Sequence, residues 1–587
     1  MILQALHGYY RRKMLDPDPA NRLPAAGLED KEIPFVLELT PDGRLAGITD
    51  TRAQQGKKKV GKRFQVPQGV KRASGVAANL LWDTAEYVLG IDTKGKPERV
   101  SQQHAAFRRR IDELAARVPD AGLLAVQRFL AGTPLEAFQQ QAQWAEVADI
   151  NPLLTFRLAD EVNLICQRPA VVVAAASAPV DEDNGCAAAL ACLVTGDTGA
   201  PQRLHSAIKG VWDAQTSGAN IVSFNRDAFN SYAKSQGANA PVSSAAAFAY
   251  TTALNHLLSK GSRQRIQVGD ASTVFWAQEA ADGDIEAGFA ALFGELDDPD
   301  ARTAQVRALF EAIHSGRWDG AGSERRFYVL GLAPNAARLA VRFWHAAPLK
   351  DIAQRMRAWF DELELVRGPH DMEYPSLFRL LAAVAVQGKA DNIPPRLGGD
   401  ILRSILDGSP YPALWLNAAV QRCRAERQVS HLRAVGIKAC LNRTLRTPIN
   451  QEEIIKPMLD KQNPSVAYRL GRLFATLEKI QEEASPGLNA TIRERYYGAA
   501  SSTPTAVFTT LLRLKNHHLA KLGNRGRATN FEKLLGEIVG GIDDIPGHMA
   551  LQDQGRFALG YYHQRQDFFT VHENAAGNGD TQNTKED

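Results

Sequence analysis

The hydrophobic pattern of the chain changes its period near Pro348, and this change limits the folds open to it. Between residues 152 and 345, short apolar runs recur with the alternation expected of strands. After Pro348, apolar residues follow the spacing of amphipathic helices. Strands followed by helices, rather than alternating with them, are typical of α+β proteins. The pattern predicts an α+β fold with a mixed or antiparallel sheet in the N-terminal and central regions, followed by an all-α C-terminal helical bundle.

Local patterns place the individual elements. A helix is predicted over 2–14 and a hairpin over 33–49, with its turn at Pro41-Asp42-Gly43. Further strands are predicted over 153–158, 170–175, 189–195, 273–278, 327–332 and 339–344. A single long helix is predicted over 413–443, and the last unit is predicted to contain about four helices.

At 587 residues the chain is too long for one hydrophobic core, because domains average roughly 150 residues. The predicted organisation is an N-terminal α+β domain over 1–150, a central α+β domain over 151–345, a helical region over 346–446, a C-terminal helical bundle over 458–575 and a disordered tail over 576–587. A Pro-rich break between 446 and 464 separates the two helical units.

A mid-chain stretch, Ala207–Leu258, is dense in small polar side chains. It carries uncharged donors and acceptors, including Asn225, Tyr232 and Asn239, in a segment between an apolar strand and a helix. Such side chains suit contact with a polar polymer when a rigid scaffold holds their loop. They equally suit a structural loop in which Asn and Ser satisfy their own backbone. The residues alone leave both interpretations open.

Positive charge is concentrated near the N-terminus, in a basic loop predicted over 56–72. Seven basic residues occur there without an acidic one: Lys57, Lys58, Lys59, Lys62, Arg63, Lys71 and Arg72. The string GKKKVGKR is predicted to be a mobile loop. Cations of this kind neutralise nucleic-acid phosphates and release counterions. The alternative is a solvated loop that only aids solubility.

A second basic pattern runs through the last helices. Arg469 and Arg472 are predicted to lie opposite an apolar helix face, and Arg513, Lys515 and Lys521 continue the pattern. This spacing favours an electrostatic track for a single strand. An ordinary polar helix face explains the same residues.

Sequence motifs for catalysis are absent. The chain contains no GxxxxGK[ST] for a nucleotide phosphate, no GxGxxG in a βαβ setting, and neither GxSxG nor HExxH. His370-Asp371 is an isolated dipeptide, so a metal-dependent nuclease is kept only as an alternative. We expect no enzymatic activity, no cofactor and no metal.

The cysteines and the hydropathy indicate the compartment. Five cysteines show no paired framework, which predicts buried thiols in a reducing cytoplasm. No signal sequence and no apolar run of roughly 18 residues is present, so no membrane association is expected.

Several long strings carry a family resemblance. They are KRASGVAANLLWDTAEYVLG (71–90), CLVTG (192–196), the IKGV and GANIVSFN strings within 208–243, VFWAQ (274–278), YVLGLAPNAARLAVRFW (328–344), and YRLGRLFATLEKIQEEA with TIRERYYGAASSTPTAVF (468–508). With them the chain resembles the large subunit of the type I-C CRISPR surveillance complex (Cascade), the Csd family. The resemblance covers nearly the whole chain.

The resemblance implies a non-catalytic role in antiviral defence. Such a subunit belongs to a ribonucleoprotein in which guide pairing reads most of the target and the protein reads a short protospacer-adjacent motif (PAM) on double-stranded DNA. It assists strand separation, stabilises the R-loop and docks a helicase-nuclease. The implied partners are CRISPR guide RNA, the target duplex with its displaced single strand, the backbone and guide-processing subunits of Cascade, the helicase-nuclease and a small subunit. A purely structural assembly subunit remains the other alternative.

The resemblance also directs the assignment of residues. The cations of 57–63 are expected on backbone phosphate, and Lys71, Arg72 and Asn79 nearer base edges, because amides both donate and accept in a groove. Asn79 equally fits a helix N-cap. Asn225, Tyr232 and Asn239 are expected on guide RNA or neighbouring subunits. Further backbone contacts are expected from Asn335, Arg338 and Arg342. Met458, after the Pro-rich break, is where an internal start for a separate small subunit is expected.

Overall fold

The structure, a computed structural model, describes residues 1–18, 21–55, 58–70, 75–92, 95–132, 135–177, 189–224, 226–293, 299–316, 324–445 and 454–569. The chain divides into two compact units. The first comprises Met1–Ser206 with Val222–His256, and the second comprises Ala207–Ile221 with Leu257–Asp587. The predicted α+β fold with C-terminal helices is confirmed.

The first unit is built on a four-stranded mixed sheet. The strands of the whole unit are β1 (Leu28–Ile33), β2 (Phe35–Leu39), β3 (Leu45–Asp50), β4 (Ala53–Gln55), β5 (Lys58–Val60), β6 (Lys62–Pro67), β7 (Trp82–Thr84), β8 (Leu153–Leu158), β9 (Leu190–Ala191) and β10 (Thr198–Gly199). Its helices are α1 (Ile2–Met14), α2 (Ala85–Leu89), α3 (Pro97–Ala115), α4 (Ala121–Gly132), α5 (Leu135–Gln139), α6 (Trp144–Ile150), α7 (Pro169–Ser177) and α8 (Ser244–Leu257). The sheet order is β3-β2-β8-β7, with β2 and β8 parallel and the other pairs antiparallel.

Hydrophobic alternation explains the centre of this unit. Phe35, Leu37 and Leu39 on β2 are fully buried. Phe156 on β8 packs against Phe107 of α3 and Phe129 of α4, with ring centroids 6.3 and 5.9 Å apart. The predicted helix over 2–14, the hairpin at β2–β3 and the strand over 153–158 are confirmed.

Three predicted elements of the first unit differ from the structure. The GKKKVGKR string is not an irregular loop where it is described: β5 pairs with β4, and β6 pairs antiparallel with β1. The predicted strand over 170–175 is helix α7, because an alanine-rich segment opened by Pro169 favours a helix. The predicted strand over 189–195 shrinks to the two residues of β9, followed by a turn.

The second unit combines an antiparallel sheet with many helices. Its strands are β11 (Arg265–Val268), β12 (Ala271–Ala277), β13 (Arg326–Asn335) and β14 (Arg338–Pro348), in that order. Its helices are α9 (Gly283–Phe293), α10 (Pro299–His314), α11 (Leu349–Leu363), α12 (Leu377–Val384), α13 (Leu397–Asp407), α14 (Ala413–Glu426), α15 (His431–Leu445), α16 (Val466–Ala484), α17 (Ile492–Ala500), α18 (Thr505–Lys521), α19 (Arg525–Val539) and α20 (Leu551–Asp567). The three central strands predicted from the sequence are confirmed as β12, β13 and β14.

One hydrophobic core extends from this sheet into the last helices. It contains Phe275 and Phe327 on the sheet, Trp359 on α11, and Phe474 and Phe557 in the C-terminal bundle. The regions predicted as 346–446 and 458–575 therefore share their apolar interior, although a Pro-rich segment separates them in sequence. The residues of the predicted tail, 576–587, lie outside the described part.

Two helical predictions need correction. The single helix predicted over 413–443 is two helices, α14 and α15, because Arg427 adopts a left-handed conformation with φ +54° and ends α14. The last unit contains five helices within its described residues, α16 to α20, where about four were predicted.

Helices α16 and α20 approach each other at backbone distance. A Cβ atom added to Gly471 on α16 would lie 2.0 Å from the carbonyl oxygen of Phe557. A Cβ atom added to Gly560 on α20 would lie 2.0 Å from the carbonyl oxygen of Tyr468. Only glycine fits at these two positions unless the helices move apart.

Most cysteines lie in the interior. Cys166, Cys192, Cys423 and Cys440 are free and buried, as predicted, while Cys186 lies outside the described residues. Burial raises the pKa of Cys166 to about 12. Among the described residues, no helix combines the length and the apolar character needed to cross a membrane.

Replacing Gly471 or Gly560 with alanine tests the close contact of α16 and α20. Each variant should lower the free energy of unfolding by about 2–3 kcal/mol, because the new methyl group forces two backbones apart. Gly536→Ala on α19 is the matched control, since its Cβ meets nothing within 4 Å. That change should be neutral or stabilise by about 0.5–1 kcal/mol through helix propensity. Urea denaturation followed by circular dichroism measures all three, and equal stabilities would contradict the close contact.

Candidate nucleic-acid interface

The described part of the basic segment lies on strands β5 and β6. Lys59, Lys62 and Arg63 are exposed. Lys62 Nζ lies 5.5 Å from the centroid of the Phe64 ring, and Arg63 forms a 3.3 Å ion pair with Glu32 across the β1–β6 ladder. Lys57, Lys71, Arg72 and the side chain of Lys58 lie outside the described residues. The strands therefore hold three cations in fixed positions on the surface.

The ion pair of Arg63 is weak. Its guanidinium side chain is 62% exposed and the Glu32 side chain is 47% exposed, so water and salt screen the attraction. Arg63 can exchange this carboxylate for a phosphate at little cost.

Asn79 faces the interior. Its Oδ1 accepts a hydrogen bond from the Val70 amide at 3.0 Å, and its own amide donates to Asp83 Oδ2 at 2.8 Å. The predicted N-cap role is wrong, because β7 rather than a helix follows. The hydrogen bond to Val70 thus joins the chain on the two sides of segment 71–74, which the structure does not describe. The exposed fraction of Asn79 is 6%. Direct base contact by Asn79 stays a prediction that its burial does not favour.

The polar loop over 226–240 is organised by Asn239. Its Oδ1 accepts from the Ser231 amide at 2.9 Å, and its Nδ2 donates to the carbonyl oxygens of Lys234 and Gln236 at 3.2 and 3.0 Å. Nδ2 also donates to Asn230 Oδ1 at 3.2 Å. The self-satisfied arrangement left open by the sequence is what Asn239 adopts. Asn225 lies outside the described residues.

The same loop displays Tyr232. This residue is 95% exposed and has a φ of +52°, a backbone conformation uncommon for tyrosine. Asn239 thus fixes the loop, and Tyr232 is exposed on it.

Cys192, in the CLVTG motif, anchors the end of this loop. The Ser243 amide donates to its Sγ at 3.3 Å, and the Leu193 amide donates to the Pro241 carbonyl at 2.9 Å. Burial alone would raise the pKa of the Cys192 thiol, but hydrogen bonds from Ser243 and Thr195 outweigh it and lower the pKa to about 6.

The tip of the β13–β14 hairpin carries the next candidates. Asn335 is exposed at the end of β13, and Arg338 pairs with Asn220 in a parallel bridge. Arg342, at the irregularity in this ladder, forms a 2.6 Å ion pair with Asp270. Arg342 is therefore tied to a carboxylate, while Asn335 stays open to solvent.

The C-terminal candidates separate into buried and exposed residues. Arg472 is fully buried, with Glu537 Oε1 at 2.9 Å and Gln564 Oε1 at 3.1 Å. Its predicted position on an outward polar face is wrong, because α19 and α20 cover it. Arg469 donates to the Asn463 carbonyl at 2.8 Å, and Lys515 pairs with Glu532 at 3.4 Å.

Helix α18 keeps a cationic outer face. Arg513 and Lys521 are exposed, as is Arg525 at the start of α19. The sequence contains no Asp or Glu from Arg495 through Phe531, a signal that the sequence reading missed. The acid-free stretch makes α18 the most uniformly positive of the candidate surfaces.

Trp212 is a second feature that the sequence reading missed. It lies in a hairpin-like loop over 208–219, closed by paired backbone hydrogen bonds between Ile208 and Ala219 at 2.9 Å. The indole is 63% exposed. The glycines at 210 and 218 were the available signal of a tight loop.

The nuclease alternative gains no support from the described residues. Asp371 Oδ2 accepts from the Gly368 amide at 2.9 Å and closes a turn, and the neighbouring His370 is exposed. Within the described ranges, no group of three or more His, Cys, Asp and Glu residues is arranged to hold a metal ion.

Comparison with known proteins identifies a family. The family described as CRISPR-associated protein (Cas_Csd1) matches residues 6–569. No curated protein matches the chain.

Asn239→Ala tests the organisation of the polar loop. Losing four hydrogen bonds should raise the rate of tryptic cleavage after Lys234 by roughly tenfold. The reason is that the free energy of local opening falls by more than the contribution of one ordinary hydrogen bond. Tyr232→Ala is the control, since its side chain is almost fully exposed and should leave the rate unchanged. Mass spectrometry of timed digests measures the rates. Identical digestion of Asn239→Ala and the unmodified protein would contradict the role of Asn239.

Proposed function

The chain belongs to the Cas_Csd1 family of CRISPR-associated proteins, and from that premise we propose that it is the non-catalytic large subunit of a type I-C Cascade. It reads the protospacer-adjacent motif on double-stranded DNA, assists strand separation and docks the helicase-nuclease. The observation that carries the nucleic-acid part is the set of three exposed cations on ordered strands, Lys59, Lys62 and Arg63. Guide pairing supplies the remaining sequence specificity.

Strands β5 and β6 are the proposed duplex contact. Cations held on a strand meet phosphates without first losing the conformational entropy of a free loop. Their contribution is independent of sequence and depends on salt. Motif discrimination needs side chains at base edges, and the undescribed Lys71 and Arg72 are next to this surface in sequence.

Helix α18 is the proposed track for the displaced single strand. The exposed Arg513 and Lys521 lie on a face without a carboxylate in the same helix. A phosphate backbone passing along it would meet no like charge from α18. This surface supports the R-loop role that the family suggests.

The absence of nucleotide-binding and hydrolase motifs supports a division of labour. Cleavage and ATP hydrolysis are then assigned to the helicase-nuclease. Guide RNA, the backbone subunits and the guide-processing subunit complete the proposed complex.

Replacing Lys59, Lys62 and Arg63 together with alanine tests the duplex contact. In the assembled complex, affinity for target DNA should fall, and the slope of log K against log salt should become shallower by about 0.9 per lost phosphate contact. The control is the triple variant Lys260→Ala, Arg263→Ala and Lys389→Ala, which removes three exposed cations elsewhere. Fluorescence anisotropy at several salt concentrations measures both.

Three results would contradict the proposal. Equal slopes for the two triple variants would remove β5–β6 from the interface. Equal affinity of the unmodified complex for targets differing only in the flanking motif would contradict motif reading. Separately, cleavage of DNA by the purified chain with Mg²⁺ would contradict the non-catalytic assignment.

We also propose an internal start at Met458. This residue is exposed and precedes α16, so a product beginning there contains all of α16 to α20. In the full chain, however, α20 also contacts α14 and α15: a Cβ on Gly555 would lie 3.1 Å from Ile437 and 3.3 Å from Leu416. In a separate product that lacks α14 and α15, another surface would have to bury this side of α20.

Changing the Met458 codon to leucine tests the internal start. A C-terminally tagged gene should then yield only the full-length chain, because initiation at residue 458 is lost. Met372→Leu is the control and should keep both products. Immunoblotting of the tag gives the result, and a short product that persists after Met458→Leu would exclude this start.

A further inference from the structure

The 208–219 hairpin has little conformational freedom. The Ile208 and Ala219 amides donate to each other's carbonyl oxygens at 2.9 Å. Gly210 has a φ of +85°, and a Cβ there would lie 2.5 Å from the Leu258 carbonyl oxygen. Gly218 has a φ of +91°, and a Cβ there would lie 2.8 Å from the Ile208 carbonyl oxygen. Both positions require glycine, so the path of the hairpin is closely determined.

The backbone on either side of Trp212 is also fixed. Val211 is buried, with 6% of its surface exposed. The Trp212 amide donates to Ser272 Oγ at 2.9 Å, and this buried hydroxyl donates to Gln267 Oε1 at 3.1 Å. The indole nevertheless stays 63% exposed. A rigid support thus presents a large aromatic surface to water.

Cationic residues lie at both ends of the hairpin that carries this ring. Lys209 is exposed at the start of the hairpin. At its end, the Asn220 amide donates to the Ala337 carbonyl at 3.2 Å, and the Leu339 amide donates to the Asn220 carbonyl at 3.0 Å. These bonds place Arg338 directly beside the base of the hairpin.

We propose that Trp212 is a stacking platform for an unpaired nucleobase of the target DNA, with Lys209 and Arg338 placed for the adjoining phosphates. An exposed aromatic ring on a surface that also carries cations is the combination that binds single strands without sequence preference. This inference rests on the proposed function, because strand separation supplies the unpaired base.

The surroundings of Trp212 favour a nucleobase over a protein partner. The exposed side chains that follow it in the hairpin are polar: Asp213, Gln215, Thr216 and Ser217. Protein-binding aromatic anchors usually lie at the centre of a packed, desolvated patch. An aromatic ring among polar groups suits a base, whose face stacks while its edges and backbone stay hydrated.

The test uses the assembled complex with Trp212→Ala, Trp212→Phe and the control Thr216→Ala. One DNA is a target already opened as a bubble beside the flanking motif, and the other is a paired duplex with that motif but no guide complementarity. Trp212→Ala should weaken binding of the bubble by roughly tenfold and leave the paired duplex unchanged. Trp212→Phe should restore most of the affinity. A 2-aminopurine in the bubble should be quenched by stacking and brighten in Trp212→Ala.

Each other outcome decides against the inference. Unchanged bubble affinity and 2-aminopurine fluorescence in Trp212→Ala would overturn it. So would equal losses on both DNAs, which indicate a duplex contact, or failure of Trp212→Ala to enter the complex, which indicates a protein contact. Failure of the proposed function is distinguished with the unmodified complex and a second pair of DNAs that lack the flanking motif: the complex would then bind the two pairs equally. The 2-aminopurine signal on single-stranded DNA still decides whether Trp212 stacks.

Discussion

The contact between α16 and α20 is the constraint on which the helical half of the protein depends. Because Gly471 and Gly560 let the two backbones meet, polar groups on α16 reach partners on α20 that a wider spacing would remove. The buried Arg472 bonds to Gln564, and the buried Glu478 accepts from the Tyr561 hydroxyl at 2.6 Å. A buried charge without such partners would cost several kcal/mol. The glycines therefore allow the buried charged groups to reach their hydrogen-bond partners, and these hydrogen bonds fix the register of the two helices.

A similar arrangement holds the other end of the same core. Glu362 of α11 is fully buried and accepts two hydrogen bonds from Arg443 of α15, each at 2.7 Å. Tyr411 donates to the same carboxylate at 2.6 Å, and burial raises the pKa of this phenol well above its ordinary value. Two buried polar clusters in one apolar interior restrict how the helices can pack, because any shift leaves a charge unpaired.

Hydrophobic periodicity correctly predicted those elements whose tertiary packing agrees with the local preference of their sequence. The β2–β3 hairpin and strands β12 to β14 alternate apolar residues, and burial rewards that alternation. The strand predicted over 170–175 is wrong because an apolar run without alternation fits a buried helix as well as a strand. The loop predicted for the basic segment is wrong for another reason: β6 is fixed by its pairing with β1, a contact between residues distant in sequence that local composition does not reveal.

Residue type alone did not predict which candidate side chains the fold buries. Asn79 and Asn239 were chosen as ligands of nucleic acid, yet their amides bond to backbone groups of their own loops. Arg472 was placed outside because a helical wheel does not show that two further helices cover it. Side-chain direction depends on tertiary packing, so the exposure of Trp212 emerges only from the fold. The polar residues Asn79 and Asn239, which the sequence favours as binders, bond within their own loops, and the rings of Tyr232 and Trp212 are exposed to water.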